Sequence, residues 1–462
     1  MPVKEQIRPM LTLALPLILA ELGWMAMGIV DTIMVGHMDR PVLAIGSAAL
    51  GQVLYNTVTF GIAGVLLGLD TYLSQSQGAG ELDEANRWFL HGLILAGGLA
   101  LSLITVVLLA PLALMRMPID HGVLVGAVSF LHALNWGTPA LFLYFALRRY
   151  LQAFNHVKPI AVALVTANLC NILMDWLLIY GHSWGHHWGS ISIPAMGVYG
   201  AGLSTSISRL YLAVFLIVTI LRVDRRHDYG LRRMTRRFEK ARVWKLAALG
   251  APAGAQIFVE ISIFGAVTFL IGTMGAVPLA GHEIALNCAS FTFMIPLAIS
   301  AAASVRVGQA IGRKSPEQAR SAGWAAIALG AGCMAVMSLI LTVVPGVIAG
   351  SFTHDTSIIA ATIPLLYVAA AFQFFDGLQI TANGALRGAG NTHAGLYVQL
   401  LGYWVIGLPV GCWLGFHMKL GAVGLWMGLC AGLVVAGVLL TTTWARTTRK
   451  LETASVIEPS VR

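Results

Sequence analysis

The sequence has few charged residues for its length. Asp, Glu, Lys and Arg make up 11% of its 462 residues, whereas soluble domains carry about 25%. Hydrophobic residues make up 57% of the chain, and the mean hydropathy is +0.78. This composition excludes a soluble globular enzyme and predicts a polytopic membrane protein.

The motifs of nucleotide and catalytic sites are also missing. The sequence contains no Walker A motif, no glycine-rich nucleotide fingerprint and no nucleophile elbow. Its five cysteines all fall inside apolar segments and lack metal-ligand spacing. We therefore expect neither an enzyme nor a resident cofactor. Any energy that the protein uses should come from an ion gradient.

The excess of positive charge does not predict nucleic-acid binding. The formal net charge is +9, but ten of the 29 Lys and Arg residues lie between Arg222 and Lys245. Most of the others fall in alternate short loops, which is the pattern of cytoplasmic loops in membrane proteins. An even number of spans requires both termini to lie on the same side of the membrane. The basic loops predict that this side is the cytoplasm.

Twelve segments are long and apolar enough to span a bilayer, which takes about 20 residues of helix. They are residues 10–36, 45–73, 89–114, 123–147, 159–181, 195–221, 246–273, 278–305, 320–350, 357–384, 393–416 and 420–445. The basic stretch 222–245 divides them into two sets of six. We predict an all-α protein with an N-lobe over 1–221, a cytoplasmic linker over 222–245, and a C-lobe over 246–462 that ends in a short tail.

The two halves resemble each other in sequence. The matches at an offset of 236 residues are Pro16 with Pro252, Gly36 with Gly272, Met38 with Met274, Leu43 with Leu279 and Ala44 with Ala280. Gln75 and Gly78 also match Gln309 and Gly312, at an offset of 234. An even number of helices gives both copies the same topology, so the pseudo-twofold axis should run along the membrane normal.

Asp31 is a carboxylate inside the apolar first span. A charge near the middle of a bilayer costs roughly 2.5–3.5 kcal/mol on insertion scales, and such groups usually serve ion or proton handling. In the fifth span Asn168, Asn171 and Asp175 share one helical face. We predict an ion or proton site at Asp31, Asn171 and Asp175. The alternative is that these groups only join helices through hydrogen bonds.

The second half has its own buried acids, Glu260 in the seventh span and Asp376 in the tenth. Carboxylates in apolar surroundings suit Na⁺ or a lipophilic organic cation. The nearby rings of Phe372 and Phe375 could contact such a substrate, although ordinary packing is the alternative for both. Because the repeat aligns Asp31 with Val267, the two pairs of acids are not copies of each other.

Other charged residues of the spans have no assigned role. Glu21 and Glu283 are open, and Asp70 lies near the predicted cytoplasmic end, where partial hydration should lower the cost of its charge. Arg209 is the one intramembrane cation that the sequence offers to a central cavity.

Several segments resemble one family. VDTIMVGHM after the first proline, ASVRVGQAIG in the eighth span and LRGAGNT after the tenth are similar to segments of the multidrug and toxic compound extrusion (MATE) transporters, most closely the NorM-like branch. LDTYLSQSQGAG looks more like eukaryotic members. The resemblance extends from about residue 8 to residue 445.

The resemblance implies two six-helix bundles around a V-shaped cavity. It implies antiport, in which Na⁺ or H⁺ enters while an organic, mainly cationic and amphiphilic drug leaves. The implied ion or proton site of the N-lobe is Asp31, Asn171 and Asp175, and the implied cation site of the C-lobe is Glu260 and Asp376. A monomer in the lipid of the bacterial inner membrane is expected.

This chain departs from the family pattern in two places. Asp175 stands where NorM-like members often have Asn, and Glu283 stands where an uncharged residue is expected. The pattern leaves open which lobe takes the coupling ion, and whether that ion is Na⁺ or H⁺. The alternative function is a flippase for lipid-linked precursors in the same superfamily, which would need several basic residues in its cavity.

Overall fold

The computed structural model describes residues 3–38, 40–116, 118–184, 191–234 and 237–457. Helices dominate this part of the chain, in agreement with the predicted all-α class. The α-helices of the first half are α1 (Val3–Gly36), α2 (Pro41–Ala63), α3 (Gly68–Gly78), α4 (Leu82–Leu114), α5 (His121–Trp136), α6 (Thr138–Ala153), α7 (Lys158–Tyr180) and α8 (Gly197–His227). Those of the second half are α9 (Lys240–Gly272), α10 (Ala276–Gly312), α11 (Pro316–Val343), α12 (Pro345–Phe352), α13 (Thr356–Gly388), α14 (His393–Gln399), α15 (Leu408–Cys412) and α16 (Gly421–Ile457).

One short hairpin was not predicted from the sequence. Strands β1 (His182–Trp184) and β2 (Ile191–Ile193) pair antiparallel, with His182 opposite Ile193. The hairpin connects α7 to α8, so it lies outside the predicted spans.

Eleven helical stretches of the described chain are long and apolar enough to cross a membrane. They correspond to eleven of the twelve predicted spans. The predicted fourth span, 123–147, is instead divided into α5 and α6, of 16 residues each. Pro139 explains the division, because proline has no N–H to continue the helical hydrogen bonds. The break falls at Gly137, which keeps helical backbone angles.

Three other spans also depart from regular α-helix. In the predicted second span, 45–73, a 3-10 turn over Gly64–Leu67 separates α2 from α3. The predicted ninth span, 320–350, ends its main helix at Val343, before Pro345 starts α12. In the predicted eleventh span, π-helical turns over Leu400–Gly407 and Trp413–His417 flank α15. Pro409 lies between these turns and removes one backbone donor, which fits a local change of helical pitch.

The chain folds as two compact units. One comprises Met1–Ile18, Asp70–Glu81 and Ala248–Arg462, and the other comprises Leu19–Leu69 and Leu82–Ala247. The start of α1 and the main part of α3 therefore group with the helices of the second half. These units are defined by contacts, whereas the predicted lobes 1–221 and 246–462 are defined by the repeat, and the lobe boundaries stay a prediction.

Small residues allow close helix crossings in the unit that contains the second half. Gly384 and Gly388 of α13 lie against the backbone of Ser300 and Ser304 in α10, with no space for a side chain. Such contacts let backbones approach closely, which is how helices associate where lipid supplies no hydrophobic driving force. The crossing fixes α13 against α10 and therefore sets the positions of the polar residues along α13.

Candidate functional site

Asp31 is buried in α1, with 6% of its surface exposed. The hydroxyl of Thr205 in α8 donates a hydrogen bond to Asp31 Oδ2 at 2.9 Å. The same hydroxyl lies 3.1 Å from the carbonyl of Ala201, one turn earlier in its own helix. Thr205 thus connects the acid to the backbone of α8, while Asp31 Oδ1 has no hydrogen-bonding partner among the described residues.

Asp175 and Asn171 of α7 lie beside Asp31. Both are fully buried, and both are near enough to interact with the Asp31 carboxyl. Ser204 Oγ donates to Asp175 Oδ1, and Asn171 Nδ2 donates to Ser204 Oγ at 3.2 Å. The structure therefore brings together the three residues predicted for the first half.

Ser204 and Thr205 were missed in the sequence. They lie next to each other in α8 and contact two different acids. The signal in the sequence is weak, because serine and threonine in membrane helices commonly bond to the carbonyl one turn earlier. Their position opposite α1 and α7 becomes visible only once the three helices are packed.

Arg209 supplies a buried positive charge in the same unit. It lies one turn beyond Thr205 and donates from Nη1 to the hydroxyl of Tyr55 at 2.9 Å, with its guanidinium 4.7 Å from the centre of that ring. Its charge also acts on Asp31. The Tyr55 hydroxyl continues to Thr138 Oγ1 at 2.7 Å. Arg209 is thus held by an aromatic residue and adds a fixed positive charge near the first carboxyl pair.

Glu260 and Asp376 of the second half also lie near each other. Asp376 is 7% exposed, and its carboxyl is near enough to Glu260 for the two charges to repel. Gln399 Nε2 donates to Glu260 Oε2 at 3.2 Å. The buried hydroxyl of Tyr403, one turn beyond Gln399, is near both acids. Gln399 and Tyr403 were missed because nothing in the sequence links them to the seventh and tenth spans.

The predicted aromatic residues differ in their surroundings. Phe372 is 5% exposed and stacks on Trp426, with ring centres 5.6 Å apart. Phe375 is partly buried and meets Phe374 edge to face at 5.5 Å. Packing accounts for these contacts, and contact with a substrate stays a prediction.

The remaining acids of the spans have different partners. Glu21 forms a salt bridge with Arg148, which is 5% exposed. Asp70 is 1% exposed and lies 3.4 Å from Arg387 Nε, so the expected partial hydration is wrong. Glu283 is exposed. Both ion pairs balance a charge locally and are separate from the two carboxyl pairs.

No group of three or more His, Cys, Asp and Glu side chains in the described part of the chain has the arrangement of a metal site. The acids of interest occur as two pairs with hydroxyl or amide neighbours. This donor set is oxygen-rich and suits hard cations or protons rather than transition metals.

Comparison with known proteins identifies the family. The MatE family model matches the chain twice, over residues 16–177 and 252–413. The chain belongs to the MatE family. The two matched segments begin 236 residues apart, at Pro16 and Pro252, so the predicted internal repeat is confirmed.

Curated relatives cover nearly the whole MatE chain. It is 35% identical over 443 residues to a probable multidrug resistance protein NorM of Geobacillus kaustophilus, covering 95% of this chain and 94% of the relative. It is 36% identical over 458 residues to a probable NorM of Rhodopseudomonas palustris, covering 96% and 93%. A third relative, the multidrug resistance protein PmpM of Pseudomonas aeruginosa, is 32% identical over 459 residues, covering 97% and 93%.

Solved structures agree on the fold. The crystal structure of the eukaryotic MATE transporter AtDTX14 superposes with a TM-score of 0.84 at 22% identity, covering 98% of this chain and 99% of that one. A crystal structure of MATE in complex with MaL6 gives a TM-score of 0.85 at 18% identity, with 97% of each chain covered. This protein is therefore a multi-pass membrane transporter of the MatE family rather than an enzyme.

Proposed function

We propose that this transporter is a secondary antiporter that exports organic, mainly cationic and amphiphilic drugs in exchange for Na⁺ or H⁺. The observation that carries the proposal is the buried pair Asp31 and Asp175, whose carboxyls accept hydrogen bonds from the adjacent α8 residues Thr205 and Ser204. The names of the relatives as multidrug resistance proteins support the substrate class.

The charge of the first pair requires a counter-ion. Two carboxylates that share a buried site cannot both be ionised without compensation, so one takes a proton or a cation lies between them. Arg209 offsets only part of that charge, since it carries one positive charge against two carboxylates. Asp31, Asn171 and Asp175 are therefore our candidates for the coupling-ion site.

The second pair suits an organic cation as well as an ion. Glu260 and Asp376 supply negative charge, and Tyr403 lies beside them. Carboxylates next to an aromatic ring favour positively charged ligands, because the ring face carries partial negative charge. A drug and a coupling ion can compete for the same carboxylate oxygens, and that competition would connect their movements.

Coupling then follows from different affinities in two conformations. An ion that binds one conformation more tightly than the other shifts the equilibrium by that difference in free energy, and the drug responds reciprocally. Alternating access by rocking of two repeats is the usual way in which duplicated transporters move ligands across a membrane. The free energy stored in the ion gradient would drive the export.

The proposal also covers the membrane, the orientation and the oligomeric state of the protein. We propose that both termini lie in the cytoplasm, which the basic loops support, and that the membrane is a bacterial inner membrane. We propose a functional monomer in contact with membrane lipids, without a resident cofactor. The flippase alternative is not favoured, because the buried cations Arg148, Arg209 and Arg387 are engaged by Glu21, Tyr55 and Asp70.

The test is drug exchange in proteoliposomes. Purified protein is reconstituted, loaded with ethidium, and energised separately by an inward Na⁺ gradient and by a pH gradient. We expect at least one gradient to accelerate ethidium release, and Asp31→Asn and Glu260→Gln to abolish most of that acceleration. Asp228→Asn is the matched control, since Asp228 is exposed and pairs with Arg233 outside both carboxyl pairs. Failure of both gradients to drive release would reject the proposal.

A further inference from the structure

A row of polar residues, called here the polar stripe, begins at Asp376 and runs along one face of α13 toward its C-terminal end. Asp376, Gln379, Asn383 and Arg387 are spaced at i, i+3, i+7 and i+11, which places them on one side of the helix. None is more than 7% exposed. At 1.5 Å per residue the stripe is about 16 Å long, and it leads from the carboxyl pair to the end of α13. The interior of this unit is therefore polar along a continuous line.

Helix α9 faces this stripe with a polar residue of its own. Gln256 lies one turn before Glu260, is 4% exposed, and accepts a hydrogen bond from Asn383 Nδ2 at 2.8 Å. Gly395 of α14 lies next to both Asn383 and Gln256. A methyl group there would collide with both Asn383 Oδ1 and Gln256 Oε1. Glycine at 395 thus leaves room for two amide oxygens that converge on one point.

Gln379 is the unusual member of this group. It is fully buried, and neither its Oε1 nor its Nε2 has a hydrogen-bonding partner among the described residues. Gln399, which holds Glu260 with its Nε2, also has an unpartnered Oε1. Leaving a buried polar group unsatisfied costs about 1–3 kcal/mol, so an apolar residue would serve packing better at 379. The amide at 379 therefore points to a role other than packing.

We propose that Gln256, Gln379 and Asn383 form a second cation site, one helical turn on the cytoplasmic side of Glu260 and Asp376. Its ligand is a monovalent cation such as Na⁺, coordinated by amide carbonyl oxygens. Neutral oxygens bind such an ion more weakly than carboxylates do. The ion therefore binds here only briefly as it moves between the carboxyl pair and the cytoplasm. The ion pair of Asp70 and Arg387 lies at the end of this stripe and balances its own charge there. The inference rests on the proposed ion exchange.

The experiment measures the Na⁺ dependence of exchange in proteoliposomes. Gln379→Met removes the amide while keeping the length of the side chain. We expect the Na⁺ concentration for half-maximal ethidium release to rise about tenfold, as the loss of one ion ligand predicts, with ethidium binding at equilibrium unchanged. Gln256→Met, which removes the oxygen opposite Asn383, should act in the same direction and serves if Gln379→Met folds poorly.

Gln373→Met is the matched control. Gln373 is fully buried in the same helix, but it lies on the other side of Asp376 from the proposed site, and its Nε2 donates to Thr292 of α10 at 2.7 Å. An unchanged Na⁺ requirement in both stripe variants, or an equal rise in Gln373→Met, would overturn the inference. Exchange by the wild type that depends on H⁺ alone would also overturn it, while leaving the proposed antiport intact. Absence of exchange with either ion would instead reject the antiport itself.

Discussion

Gly78 lies against the backbone of Gln309 so closely that a methyl group would not fit between them. The same relationship holds in reverse, since Gly312 lies against the backbone of Gln75. Gln75 and Gly78 are the repeat counterparts of Gln309 and Gly312. A contact in which each copy presents the same residues to the other is what a twofold axis produces. The ends of α3 and α10, which belong to the same compact unit, therefore make a reciprocal contact through counterpart residues of the repeat.

Gly78→Ala should destabilise the protein through this contact. The obstacle is backbone rather than a flexible side chain, so α3 and α10 would have to move apart. Overpacking of this kind costs about 1–3 kcal/mol. The measurement is the midpoint of thermal unfolding in detergent, and Gly312→Ala should lower it similarly.

Gly97→Ala is the control for that prediction. A methyl group at Gly97 of α4 would meet nothing within 4 Å. Its midpoint should therefore stay at or slightly above that of the wild type, since alanine favours helix more than glycine does. Equal midpoints for Gly78→Ala and Gly97→Ala would show that the close contact is absent in the protein.

The spans and the acids could be predicted because their signals are local. Each span is a run of apolar residues, and Asp31, Asp175, Glu260 and Asp376 are conspicuous because a charge in such a run is costly. The spacing of Asn171 and Asp175 even gave the helical face that they share. Those features need no knowledge of which helices pack together.

The partners of these acids could not be predicted for the opposite reason. Thr205 meets Asp31, and Gln399 meets Glu260, across helices that are distant in sequence. Hydroxyls and amides are frequent in membrane helices, so their presence alone does not distinguish a ligand from a local bond. The division at Gly137 was missed because hydropathy is continuous across α5 and α6, whereas the lost hydrogen bond of Pro139 is a backbone effect.

Arg387→Leu should destabilise the protein strongly. It would leave the Asp70 carboxylate, which is 1% exposed, without its guanidinium. Breaking a buried ion pair by removing one partner costs about 3–5 kcal/mol. Denaturation in mixed detergent micelles would measure the loss, and adding Asp70→Asn to Arg387→Leu should recover part of it.

The exposed pair Asp228 and Arg233 provides the comparison. Its side chains are 71% and 73% exposed, so Arg233→Leu should change the free energy of unfolding by less than about 1 kcal/mol. A loss for Arg387→Leu as small as this one would contradict the assignment of a buried, mutually dependent pair.

Thr205→Val should change the ion affinity of the first site without unfolding the protein. Valine keeps the shape of threonine but removes the hydroxyl that bonds Asp31 at 2.9 Å. A hydrogen bond to a charged group contributes about 1.5–3 kcal/mol, so the ion concentration for half-maximal exchange should shift at least tenfold. The measurement is ethidium exchange against the ion gradient that drives the wild type.

Thr205→Ser separates the hydroxyl from the methyl group. Serine retains the donor, so its exchange should stay close to that of the wild type. If Thr205→Ser and Thr205→Val shifted the ion requirement equally, packing of the methyl group would be the cause, and Thr205 would have no part in the site.

The loop after α8 should loosen as the pH falls. His156 lies between α6 and α7, with its Nε2 at 3.1 Å from the Tyr229 hydroxyl and its ring 5.2 Å from that of His227. Burial, and secondarily the charge of His227, lowers the pKa of His156 below its ordinary value of 6.5. The opened loop therefore takes up a proton before the closed one does. The free energy that keeps the loop closed is therefore fully present above about pH 6.5 and decreases as the pH falls below that value.

Limited proteolysis of everted vesicles tests this pH dependence. Trypsin cleavage after Arg232 or Arg233 should accelerate between pH 7.5 and 5.5, relative to cleavage after Arg313, which cancels the pH response of trypsin itself. His156→Gln can still bond to Tyr229 but does not titrate, so its cleavage ratio should be flat. A wild-type ratio independent of pH, or a rise of equal size in His156→Gln, would mean that His156 does not control the loop. A rise in the wild type together with a flat ratio in His156→Gln would mean that the contact of His156 with Tyr229 holds the loop after α8 closed only while the imidazole is neutral.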